Sequence, residues 1–90
     1  MGDLEMAAGR EETYEEAWRE IGEIHLAQEQ WDECVDAFTR VLQKYADDGV
    51  AWYGRSRCYE GLQDLRRARA GAREACNLGV GDACTMADRL

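Results

Sequence analysis

Apolar residues recur along this chain at intervals of three and four, which reads as five helices and no strand. Trp18, Ile21, Ile24 (or His25) and Gln28 mark one face of a first helix of about 14 residues. Thr13 and Glu16 have the spacing of a capping box, in which hydroxyl and carboxylate each satisfy a free amide, and so predict its start. Trp31, Cys34, Val35, Phe38, Val41 and Leu42 form the apolar stripe of a second helix. Asp47-Asp48-Gly49 interrupts the pattern, and Asp48 is placed to cap a third helix that carries Trp52, Cys58, Tyr59 and Leu62. A fourth helix follows from about Leu65 to Leu78 and stops at Gly79, where glycine takes a left-handed conformation at little cost. Asp82 is read as the cap of a fifth helix ending at Leu90, with Cys84, Met86, Ala87 and Leu90 on one side.

The pattern repeats. Ala17-Trp18 returns as Ala51-Trp52, an offset of 34, and the same offset pairs Ile24 with Cys58, Trp31 with Leu65, Cys34 with Ala68 and Val41 with Ala75. A unit of about 34 residues made of two helices resembles the tetratricopeptide repeat, whose pattern sets Trp, Leu, Gly and Tyr on its first helix and Ala and Phe on its second. Trp18, Ile21, Gly22, His25, Cys34 and Phe38 stand at those positions in a first unit, about 15–48. Trp52, Arg55, Ser56, Tyr59, Ala68 and Ala72 stand there in a second, about 49–82. The resemblance implies an all-α solenoid of two helical hairpins, with a capping helix at about 82–90. The domain is expected to run over 13–90 behind a tail, 1–12, that is flexible or a short helix covering the first unit.

Departures from the pattern lie mainly in the second unit. Arg55 replaces an apolar residue and is left to reach solvent or to pair with an acid. Ala72 replaces Phe, so looser packing is expected there. The proline common near the end of a unit is absent; Ala46 and Val80 stand instead.

Charge narrows the function. The net charge of −8 disfavours nucleic acid, which needs clustered cations. It is divided unevenly: residues 1–48 carry −10 and residues 49–90 carry +2. No apolar run has the roughly 18 residues of a membrane span. The acidic start lacks the form of a secretory signal, so the expected location is cytoplasmic.

Little in the chain suggests catalysis. His25 is the only histidine and falls on an inter-helix face, where it reads as a packing residue. There is no phosphate loop and no activated nucleophile, and neither enzyme activity, a metal nor a cofactor is expected. Cys34, Cys58, Cys76 and Cys84 form no Cys-x-x-Cys pair. Cys34 and Cys58 fall where the repeat places alanine and read as small core residues. The stretch from Ala75 to Cys84 resembles the cysteine-rich Sel1-like repeats of bacteria, which implies a Cys76–Cys84 disulfide; reduced, packed thiols are the other reading. Arg66, Arg69 and Arg73 share one face of the fourth helix, either solvated or docking an acidic partner.

The resemblance also implies where a partner binds: the concave groove lined by the first helix of each unit. Its positions fall on Glu16, Arg19, Glu23, Leu26 and Ala27, then on Val50, Tyr53, Arg57, Glu60 and Gly61. Glu23 at a position where chaperone-tail clamps carry asparagine argues against that subfamily, because it repels a carboxylate. The expected function is non-catalytic binding of a peptide or protein segment. The alternative is a scaffold self-associating weakly through its unit ends and its oppositely charged halves.

Overall fold

The computed structural model describes residues 11–90; the expected tail lies almost wholly outside them. Five helices follow one another: α1 Glu11–Ala27, α2 Trp31–Lys44, α3 Gly49–Gly61, α4 Leu65–Asn77 and α5 Gly81–Arg89. There is no strand among the described residues. Each helix packs on the next and α1 also packs on α3, giving a slab of 42 × 25 × 17 Å. The start of α1 corrects the sequence reading, since Glu11 is already helical and Thr13 lies within the helix.

Three of the four turns are copies. Gln30 N–H bonds His25 C=O, Asp64 bonds Tyr59 and Val80 bonds Ala75, at 2.9, 2.9 and 3.0 Å. The residue before each donor is left-handed: Glu29 (φ 59), Gln63 (φ 64) and Gly79 (φ 101). That closure is a Schellman turn, and the predicted glycine stop is one of the three. The α2–α3 turn differs: Tyr45 N–H reaches Val41 C=O, and Asp48 caps α3 by accepting from Ala51 N–H at 3.0 Å. Asp64 caps α4 in the same way. Asp82 does not cap α5; Val80 occupies that position and Asp82 sits in the first turn. Using the short Schellman turn before α5 removes two residues from the period, so α5 follows α3 by 32 where α3 follows α1 by 34.

Phe38 organises the core. It is fully buried between Gly22 of α1 and Gly54 of α3, where an added methyl group would overlap its ring. Around it lie Cys34, Val41, Leu42, Ala51 and Cys58, with Trp18 and Trp52 packed at the edge. The second junction repeats the first with sizes exchanged. Ala72 takes the place of Phe38, and Met86 of α5, two residues out of the 34 period, takes the place of Gly54. Ala72 and Met86 are both buried, so the missing phenylalanine is made good from the next helix. Within the second hairpin α3 and α4 also approach closely, with Ser56 Oγ against Gly71.

All four cysteines are bonded. Cys76–Cys84 joins α4 to α5 across a Cα separation of 4.7 Å. Cys34 and Cys58 are core residues as expected, but they also form a disulfide, between α2 and α3, with Cα atoms 5.9 Å apart. Each bond spans a junction between hairpins. Allowing for the 32 offset, Ala68 and Leu90 stand in the second junction where Cys34 and Cys58 stand in the first.

Two more readings are resolved. Ile24 is exposed (51 %), because Gly22 and His25 turn toward α2 and carry the helix away from it. Arg55 neither reaches solvent freely nor meets an acid: its guanidinium lies 4.8 Å from the Trp52 ring centre and 5.8 Å from that of Tyr59. It donates to Thr39 Oγ1 at 3.2 Å, and burial lowers its pKa. The ring faces compensate the half-buried cation.

Candidate interaction surface

The first helices of successive units, α1, α3 and α5, stand in a row, and ion pairs lace them. Arg57 of α3 donates to Glu23 of α1 at 3.3 and 3.4 Å and lies over the Tyr53 ring at 5.4 Å. Arg89 of α5 donates to both carboxylate oxygens of Glu60 on α3, at 2.7 and 3.5 Å, which raises its pKa. These pairs are exposed enough to contribute little stability; they orient side chains instead. Arg19 faces buried Asp48 at 3.6 Å. Both arginines among the expected groove positions, Arg19 and Arg57, thus already face an acid.

The remaining sequence-predicted positions separate. Val50 is exposed (46 %), at the start of α3. Tyr53 is half-buried and packs against Ala68, Ala72 and Met86. Leu26 packs on the core and offers no free contact, because its side of α1 faces α2 and α3. Glu16 is exposed on α1 and has no ion pair among the described residues. The Glu23–Arg57 link was missed, although opposite charges one period apart were there to be read. His25 Nδ1 lies 2.6 Å from Gln30 Oε1, a packing role satisfied locally.

One acidic contact sits behind this surface. Asp48 is buried; its Oδ1 caps α3, while its Oδ2 has no hydrogen-bond partner among the described atoms. Glu15 is pushed up to about 7, first by a hydrogen bond shared with Asp48, then by burial and the repulsion of Asp48, with Arg19 opposing. A proton on Glu15 supplies the donor that the Asp48 carboxylate otherwise lacks. A raised folded-state pKa means stabilisation that is full below the ordinary value of 4.5 and is lost as pH rises through about 7. Glu15→Gln, which keeps a donor at every pH, is expected to stabilise the protein at pH 8 by on the order of 1 kcal/mol and to change little at pH 5. Denaturant melts of both proteins at the two pH values check it.

Among the described residues no group of His, Cys, Asp or Glu is arranged to hold a metal, and no helix is long and apolar enough to cross a membrane. Residues 15–58 match the family described as tetratricopeptide repeat. No curated protein and no solved structure matches the chain. Repeats of this family are generally protein-interaction modules without catalysis of their own.

Proposed function

We propose, for a chain whose residues 15–58 match the tetratricopeptide-repeat family, that α1, α3 and α5 form the surface on which a protein segment is bound. The observation that supports this reading is the laced row itself: Glu23–Arg57 and Glu60–Arg89 run between neighbouring helices and hold charged groups at set positions. Because these charges are already paired, a ligand gains little from a single carboxylate. It binds by exchanging partners at both pairs, with apolar contact at Val50. Such a surface selects among ligands more than it adds affinity. The matching ligand is an extended or helical segment carrying charges of both signs.

A peptide selected from a displayed library on the wild-type protein provides the test. Arg57→Glu sets two carboxylates against each other and is expected to weaken that peptide at least tenfold while changing stability by no more than about 0.5 kcal/mol. Equal affinity for wild type and variant would remove the concave surface from the reading.

A further inference from the structure

Among the described residues two helix faces remain unpartnered, and they match. On α1, Glu16, Glu20 and Ile24 are exposed at i, i+4 and i+8, facing away from α2 and α3. On α4, Leu65, Arg69 and Arg73 are exposed at the same spacing. None of these four charged residues makes an ion pair among the described residues, although five other pairs form. Ile24 (51 %) and Leu65 (48 %) are the two most exposed large apolar residues of those described. Each stripe runs about 12 Å along its helix.

We infer that these stripes are the two halves of one contact between copies of this chain, with α1 of one copy docked antiparallel on α4 of the next. In that register Ile24 meets Leu65, Glu20 meets Arg69 and Glu16 meets Arg73, so every group finds a complement. Arg69 and Arg73 line two adjoining hollows of about 510 and 450 Å³. One is walled by Cys76, Cys84 and Ala87 and the other by Leu65, Ala70 and Leu90, which leaves room beside α4 for the arriving side chains. The first hollow exists because Cys84 and Ala87 stand, with the 32 offset, where the larger Trp52 and Arg55 stand in the preceding helix. The charge division has the same sense, with −9 over residues 11–48 and +2 over 49–90. The contact joins two different faces, so it is head-to-tail and adds copies as an open chain or a ring. It uses none of the ion pairs of the α1–α3–α5 row, and neither proposal depends on the other.

Salt separates this contact from the general repulsion of two chains of charge −8. At about 0.1 M the screening length is near 10 Å, which damps repulsion between molecular centres and spares pairs in contact; at about 1 M it is near 3 Å and the pairs are lost. Sedimentation equilibrium at about 0.1 M salt is expected to show an average mass rising above the 10.2 kDa of one chain as concentration approaches about 1 mM. At about 1 M salt the association weakens at least tenfold. Arg69→Glu/Arg73→Glu and Glu16→Arg/Glu20→Arg each abolish it, with helix content unchanged by circular dichroism. Mixing the two variants restores it, since each then offers what the other lacks. A single-chain mass at every concentration, association that survives either variant, or a mixture that stays monomeric overturns the inference.

Discussion

Phe38→Ala is expected to lower stability by about 4–5 kcal/mol, at the upper end of the range for removing a buried phenylalanine. The neighbours decide this. Gly22 and Gly54 face the ring from α1 and α3 and have no side chains to swing into the space it leaves. Closing the void would require both helices to move, and the Cys34–Cys58 bond one turn away holds α3 at its distance from α2. A chain of this length has about 5–13 kcal/mol in all, so the variant retains little and melts lower by about 15–30 °C. Thermal melts followed by circular dichroism check it; a melt within a few degrees of the wild type would show that Phe38 is not the centre of the core.

Removing the Cys34–Cys58 bond carries the second large effect. The bond closes a loop with a sequence separation of 24. Releasing that constraint on the unfolded chain lowers stability by about 3–4 kcal/mol in the chain-entropy account, against roughly 2–3 for the shorter Cys76–Cys84 loop. Urea unfolding of Cys34→Ala/Cys58→Ala and Cys76→Ala/Cys84→Ala under oxidising conditions is expected to rank them in that order. Adding reductant is expected to destabilise the wild type further than either variant. If reductant leaves the wild-type midpoint unchanged, the bonds add nothing to stability. Both disulfides make the protein's stability a function of its redox surroundings, since such bonds persist in oxidising compartments and are rare in reducing ones.

The elements that sequence reasoning placed well are those specified locally. Asp48 caps α3 because a short acceptor before an apolar helix has an amide three residues on to satisfy. The period was legible in Trp18 and Trp52, which pack on the same core, each with an arginine over its ring. What stayed hidden depended on register between helices. Cys34 and Cys58 meet only because α2 crosses α3 with Phe38 seated in Gly54, which neither spacing nor composition reveals. The role of Met86 was equally hidden, for it depends on a turn two residues shorter than the one before α3. Of the two residues that the spacing allows on the inner face, Ile24 and His25, Ile24 is the exposed one, a choice that periodicity alone leaves open. The groove positions carried over from the repeat fell on the intended helices, but the charges there turned out to be matched to one another.

The placement of the two covalent ties has a consequence for how this array comes apart. In a repeat protein each hairpin is held mainly by its neighbour, and the weakest junction ordinarily lets an end peel away. Here α2 is tied to α3 and α4 to α5, so both junctions are closed against that route. Of the five helices α1 alone has no such link. Spontaneous opening therefore begins at α1, whose backbone amides exchange first, while α5, short as it is, behaves as an anchored end.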